Sequence, residues 1–219
     1  MKHIGLEELQ NYERIYRGNL VNSITGFKSA NLLATRSKDG VDNVAVFSSV
    51  THLGSNPALF SFVQRPLGYG VGHTYHNLKE TGKITLNHLP QSLIDHAHQS
   101  SSKYDASISE FEKLAIEKIE RDGFSTPFVK DAPVQLAAEY VNEYYLEENK
   151  CILVICKITD IFLNENHLAE DGWVDLGKAG TVTINGLDGY ALAKVEKRLS
   201  YAQVGKDLEE ISMKTGKEE

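Results

Sequence analysis

The chain has 219 residues, of which 41% are apolar and 24% are charged, as in an ordinary globular protein. Its net charge is −7 and no basic stripe runs along it, so a nucleic-acid backbone is not expected as its partner. No run approaches the roughly 18 apolar residues of a membrane span, and the first residues lack a signal peptide's apolar stretch. We therefore expect a cytoplasmic protein that binds neither nucleic acid nor membrane.

The two cysteines give a second indication of the compartment. Cys151 and Cys156 both lie in the apolar run 151–156, which is typical of a strand. Residues five apart on a strand point to opposite faces, so these two side chains cannot form a disulfide with each other. Buried free thiols fit a reducing environment.

The N-terminal half predicts one helix followed by strands. Apolar residues recur at spacings of three or four through 6–25, and Gly26 ends that pattern. Short β-prone runs then alternate with turn residues such as Asp39-Gly40. These runs predict strands at 31–35, 43–47, 58–63 and 83–87.

The remaining elements are two short helices, three strands and a charged tail. A helix is predicted from Thr74 to Thr81, with Thr74 as its N-cap and Gly82 as its stop. Apolar spacing predicts a second helix over 107–119, and the tail from Lys206 is helix-prone. The predicted strands are 134–145, 151–162 and 181–184.

This order of elements indicates the fold class. Six or more strands with interspersed short helices lack the regular rhythm of a β-α-β fold, and no Gly-x-Gly-x-x-Gly turn follows a strand. The sequence therefore predicts a mainly β (α+β) barrel with peripheral helices. We expect residues 1–219 to form a single domain, because no linker or repeat divides them.

The segment 65–77 is the strongest candidate for a phosphate site. It begins at the end of a strand, contains three glycines and enters the helix predicted at Thr74. A helix start presents free N–H groups and the positive end of the helix dipole to an anion. Arg65, Thr74 and His73 would add donors, although a plain glycine loop with an ordinary N-cap explains the same residues.

Two further polar segments could contact a ligand. Residues 43–52 form a strand that ends in Ser48, Ser49 and Thr51, and backbone amides with small hydroxyls suit the polar edge of a flat ring. Residues 97–104 form a polar cluster before the second helix. Both patterns also occur in solvated strand ends and loops.

Histidine spacing leaves a metal site open as an alternative. His73 and His76, and likewise His96 and His98, are spaced so that two imidazoles can share one side of a helix or strand. No His-Glu-x-x-His signature accompanies them. A His-ligated metal-dependent barrel is the less favoured hypothesis.

An ordered series of short motifs resembles the flavin-reductase-like family, which includes flavoredoxin. The series spans about residues 18–204, leaving a helical N-terminal extension and the charged tail outside this core. It consists of 26–35, Asp39-Gly40, 43–49, Asn56-Pro57, Arg65-Pro66, His73-Thr74-x-x-Asn77, Gly82-x-x-Thr85-x-Asn87, Ser101-x-x-Tyr104, Asp171-Gly172, 186–190 and Arg198-x-x-Tyr201.

The resemblance implies a Greek-key split β-barrel that binds FMN non-covalently near the interface of a homodimer. It places Asn43, Ser48, Ser49 and Val50 along the isoalloxazine ring, with Phe62, Gln64 and Arg65 next to it and Phe47 as a further cofactor-binding residue. It places His73, Thr74 and Asn77 near the ribityl chain and phosphate. Further pocket residues that it implies are Lys28, Ser29, Asn31, Ser101 and Tyr104.

The implied activity is hydride transfer from NADH or NADPH to the flavin, and then electron delivery to a small-molecule or protein acceptor. The flavin would carry the chemistry, so no catalytic side chain is expected. Many relatives have an acidic residue where this chain has His73, and a proline near Ser29 is absent here. A non-catalytic flavin- or haem-binding split barrel is the alternative.

Overall fold

The fold is taken from a computed structural model that describes residues 1–68 and 72–216. Residues 69–71 of the predicted phosphate segment and residues 217–219 of the tail lie outside the described residues.

Five α-helices are present in the described part of the chain. They are α1 (Leu6–Asn11), α2 (Arg14–Ile24), α3 (His73–Thr81), α4 (Ile94–Gln99) and α5 (Glu110–Lys113). None of them is long and apolar enough to cross a membrane. Two short 3-10 turns are formed by Gln91–Leu93 and Glu165–His167.

The strands form one large antiparallel sheet and three small ones. The large sheet has seven strands in the order β3-β2-β6-β9-β10-β5-β4. In chain order these strands are β2 (Asn31–Arg36), β3 (Asp42–Phe47), β4 (Thr51–Ser55), β5 (Ala58–Gln64), β6 (Lys83–His88), β9 (Val134–Leu146) and β10 (Cys151–Leu163).

The small sheets use the remaining strands. One sheet has the order β1-β11-β12, and the other two are the pairs β7-β8 and β13-β14. Their bounds are β1 (Lys28–Ser29), β7 (Lys118–Ile119), β8 (Phe128–Val129), β11 (Val182–Asn185), β12 (Gly189–Leu192), β13 (Arg198–Leu199) and β14 (Glu210–Ile211).

Alternation along β2 gives the large sheet two apolar faces. Leu33 points to an inner core that also contains Phe60, Phe62, Leu86 and Val154. On α3, Tyr75 and Leu78 pack into the same core. The helix is tied to β9 where the Tyr75 hydroxyl donates to Glu143 Oε1 over 2.9 Å.

Leu32 and Ala34 point to the other, outer face of β2. Their cluster includes Ala97 on α4, Phe111 on α5 and Val182 on β11, so helices and the small sheet cover this face. Both faces of β2 are therefore buried, in keeping with the predicted mainly β barrel with peripheral helices.

Three element predictions are wrong. The helix over 107–119 is reduced to α5, because Ala115 has a positive φ of 52° and 118–119 pair as a strand with β8. The helix-prone tail instead pairs Glu210–Ile211 with Arg198–Leu199. The helix over 6–25 is two helices, α1 and α2, because the backbone at Tyr12 is extended.

Candidate functional site

The start of α3 is the part of the site that the sequence located best. Gly72 is the N-cap and has a left-handed φ of 66°, a conformation that glycine adopts without strain. The prediction that Thr74 caps the helix is wrong, since Thr74 lies in the first turn. Among the described residues no side chain bonds the free N–H groups of this turn, which leaves them available to an anion.

Four buried polar side chains hold this helix start against the sheet. The Asn43 amide donates to the Thr74 hydroxyl over 2.9 Å and to the Thr35 hydroxyl over 3.5 Å. The Asn77 amide donates to Thr35 over 3.2 Å. Each of the four is at most 9% exposed, so these bonds replace water for groups that folding has desolvated.

Gln64 and Arg65, at the end of β5, lie close to the same helix start. A Cβ on Gly72 would be 3.6 Å from Gln64 Nε2 and 3.5 Å from Leu67 Cδ2, so a side chain there would fill the narrow space between them. The Gln64 amide donates to the Arg65 carbonyl over 2.9 Å. The Arg65 side chain is exposed, which leaves its guanidinium accessible to a ligand.

The predicted ring segment 47–50 is partly exposed and runs beside β5. Ser49 Oγ accepts the Val63 N–H over 3.1 Å, which fixes this segment to the end of that strand. The Phe47 ring packs edge-to-face on Phe62, with 5.3 Å between the ring centroids. Phe62 itself is fully buried, so it supports Phe47 and presents no surface to a ligand.

The first-strand residues are placed differently from one another. Asn31 is 1% exposed, and its amide donates to Ser29 Oγ over 2.9 Å. Lys28 Nζ donates to the carbonyls of Asn22 and Gly26, so in this structure it caps the C-terminal end of α2. The structure therefore keeps Ser29 and Asn31 together and engages Lys28 elsewhere.

The cluster 97–104 lies on α4 and the turn that follows it, which the sequence analysis did not recognise as a helix. Ser101 Oγ donates to the His98 carbonyl over 2.7 Å. The Tyr104 hydroxyl accepts from Gln99 over 3.4 Å. Both side chains therefore bond within the cluster itself.

Two residues that the sequence analysis missed secure the edge strand β3. Ser100 Oγ accepts the Val46 N–H over 3.0 Å, and Glu110 Oε2 accepts the Val44 N–H over 3.4 Å. These bonds take the place of a neighbouring strand and protect an otherwise open sheet edge. Ser100 lies in the polar run 98–103 and Glu110 follows Ser109, so no local pattern distinguished either residue.

His73 lies in the first turn of α3. Burial, followed by the nearby His76, lowers its pKa from the usual 6.5, while Asp105 acts in the opposite direction. The imidazole is therefore mostly neutral at pH 7 and adds little positive charge to the start of α3.

The metal hypothesis finds no ligand set in residues 1–68 and 72–216, where no group of three or more His, Cys, Asp or Glu side chains could hold an ion. His96 Nδ1 is 2.6 Å from the Leu114 carbonyl and His98 Nδ1 is 3.1 Å from the Tyr190 hydroxyl. His96 and His98 therefore bond to different protein oxygens.

The donors present fit a flavin that carries a phosphate. The uncapped N–H groups of α3 and the accessible Arg65 guanidinium are donors for the phosphate. The Thr74 hydroxyl accepts from Asn43 and keeps its own hydrogen for another acceptor. Together with the partly exposed 47–50 segment, the fold and this donor set define a flavin-binding split barrel.

The comparisons with known proteins agree with this class. The family described as the flavin reductase like domain matches residues 26–180, which is more than half of the chain. The chain therefore belongs to the flavin-reductase-like family, and membership supports a flavin-related oxidoreductase function. No curated protein is significantly similar to it in sequence.

Solved structures show the same architecture. A protein of Shewanella frigidimarina, assigned as a flavin reductase with a split barrel domain, is 37% identical with a TM-score of 0.88. The match covers 92% of this chain and 100% of that chain.

Two more distant structures share the fold alone. Nitrilotriacetate monooxygenase component B of Bacillus cereus is 20% identical with a TM-score of 0.77, and the match covers 90% of this chain and 97% of that one. Flavoredoxin of Desulfovibrio vulgaris is 18% identical with a TM-score of 0.65, and the match covers 82% and 91% of the two chains.

Proposed function

We propose that the protein binds FMN non-covalently and catalyses electron transfer from NADH or NADPH to an acceptor. The observation that carries this proposal is the buried network of Thr35, Asn43, Thr74 and Asn77. It fixes an uncapped helix start beside the end of β5. A rigid set of donors at this position suits the phosphate of FMN better than riboflavin, which has none.

The chain's own residues bind and orient the cofactor. Arg65 and the first turn of α3 would hold the phosphate, and residues 47–50 would lie along the ring. The chemistry that a bound FMN supplies is two-electron transfer between a nicotinamide and an acceptor. Asn43 and Asn77 orient the site indirectly, because their amides are occupied by protein hydroxyls.

Titration of the flavin-free protein with FMN and with riboflavin tests this assignment. We expect FMN to bind more tightly, and Arg65→Ala to weaken FMN binding by about 1–3 kcal/mol, the usual value for a charged hydrogen bond, while riboflavin binding changes little. Lys206→Ala removes an exposed charge from the tail and serves as the control. Equal affinities for FMN and riboflavin would contradict the phosphate assignment.

We also propose that the protein is a cytoplasmic homodimer. Several apolar side chains near the N terminus are exposed, among them Ile15 at 77%, Ile24 at 69% and Phe27 at 66%. Exposed apolar surface of this kind is characteristic of an interface. The free thiols Cys151 and Cys156 fit a reducing compartment. Sedimentation should give a dimer mass, and a monomer at micromolar concentration would contradict the proposal.

A further inference from the structure

His88 is the last residue of β6 and lies beside Asn31, one of the expected pocket residues. In the antiparallel register Asn31 pairs with Phe47 on one side and with His88 on the other. Leu33 and Leu86 pair two residues further along the same strands and face the inner core. Since side chains alternate along a strand, Asn31 and His88 face the barrel interior too.

The polar capacity of His88 is unused within the described residues. Its ring makes no hydrogen bond to residues 1–68 or 72–216, whereas Asn31 bonds Ser29 and His96 and His98 each contact an oxygen. His88 is nevertheless only partly exposed. A partly buried imidazole without a protein partner is unusual, because buried polar groups are normally hydrogen-bonded.

Burial also fixes the charge state of this ring. It lowers the pKa of His88 to about 4, and no charged neighbour contributes to the shift. At neutral pH the ring is therefore uncharged and offers one N–H donor and one nitrogen acceptor. The polar edge of an isoalloxazine ring alternates carbonyl acceptors with an N–H donor, which is the complementary pattern.

We propose that His88 is a further flavin-binding residue, whose imidazole hydrogen-bonds the polar edge of the isoalloxazine ring next to Asn31 and Phe47. The inference rests on the proposed FMN function and adds a ring contact from β6, a strand that none of the predicted site residues occupies. Arg65 would bind the phosphate end of FMN, and His88 would bind its ring end.

The test compares His88→Leu with His88→Gln, using FMN and riboflavin with the flavin-free protein. Leucine removes the hydrogen bonds and keeps the size of the side chain approximately, whereas glutamine retains one donor and one acceptor. We expect His88→Leu to lower the affinity for FMN and for riboflavin by about five- to tenfold, because both flavins carry the isoalloxazine ring. The visible absorption bands of the bound flavin should also shift, since they report polarity and hydrogen bonding at the ring.

Glutamine should recover most of the affinity and the wild-type spectrum, and His3→Leu, at the exposed N terminus, should match wild type. Thermal unfolding of the flavin-free variants checks that each is folded. Wild-type affinity and spectrum in His88→Leu would overturn the proposal, as would equal loss in the leucine and glutamine variants. Failure of the wild-type protein to bind FMN would instead overturn the proposed function.

Discussion

Two polar regions on the inner face of the large sheet differ in how their hydrogen bonds are used. At the start of α3, the side chains of Thr35, Asn43, Thr74 and Asn77 hydrogen-bond to one another. At the opposite end of β2, next to Asn31, the ring of His88 makes no hydrogen bond to residues 1–68 or 72–216. The first region has the character of a scaffold, and the second that of a binding surface.

Substitutions in the first region should therefore affect the stability of the protein, and substitutions of His88 should affect ligand binding. Loss of a side chain from the closed network leaves a buried partner unsatisfied, so it lowers the free energy of unfolding whether or not a ligand is present. Replacement of His88 by an apolar group removes an unpaired polar ring and should leave the flavin-free protein intact. Four substitutions test this difference by experiment.

Phe62→Ala should have the largest effect, because this ring lies in the inner core of the large sheet and is 0% exposed. We expect the free energy of unfolding to fall by about 3–5 kcal/mol, the range for removing a buried phenylalanine. Denaturant unfolding measures this change. Tyr144→Ala, at a position 54% exposed, is the control, and a loss below about 1 kcal/mol for Phe62→Ala would show that the core is misassigned.

His88 should make the protein sensitive to acid. Its pKa in the folded state, about 4, lies below the usual 6.5, so the unfolded chain binds the extra proton more readily. Stability is therefore lost as the pH falls from about 6.5 towards about 4, by about 2–3 kcal/mol. His88→Leu should reduce this loss and keep wild-type stability at pH 7. Identical acid dependence in the variant and wild type would contradict the buried, neutral state.

Asn43→Ala should lower the free energy of unfolding by about 1–3 kcal/mol, since it leaves the Thr74 hydroxyl without its donor. FMN binding should weaken as well, because the start of α3 is then less firmly held. Unfolding and flavin titration of the same sample measure both effects. Asn142→Ala, at an exposed site on β9, is the matched control. Unchanged stability would show that the network is not a scaffold.

Glu110→Gln should have the smallest effect. Burial raises the pKa of the Glu110 carboxyl, so its contribution is present below its usual value of 4.5 and is lost as the pH rises through the folded-state pKa. Glutamine keeps an acceptor for Val44 and cannot ionise, so the variant should gain stability over wild type as the pH rises above 4.5. Glu112→Gln, exposed on the same helix, should show no such gain.

The sequence predicted the strands of the large sheet well because their burial pattern is simple. Six of its seven strands, β2, β3, β5, β6, β9 and β10, were placed within one residue at each end. β4 was missed because Thr51–Ser55 is mostly exposed and has no apolar alternation. α5 was overextended because the apolar spacing of 107–119 says nothing about the positive φ of Ala115.

The sequence predicted the position of the site, but it did not predict the helix cap or most of the hydrogen bonds there. The glycines and Thr74 marked the helix start, yet the cap is Gly72, whose left-handed conformation no local pattern revealed. Thr35 and His88 enter the argument only through strand register, which joins residues far apart in the chain. Lys28 was assigned to the pocket by resemblance, and its ammonium bonds the end of α2 instead.

The visible absorption spectrum of the protein, purified from a flavin-replete host, shows directly whether it binds FMN that a nicotinamide can reduce. We predict flavin bands that bleach when NADH or NADPH is added without oxygen, and a cofactor released on denaturation that is FMN. A colourless protein that also fails to take up added FMN would contradict the account.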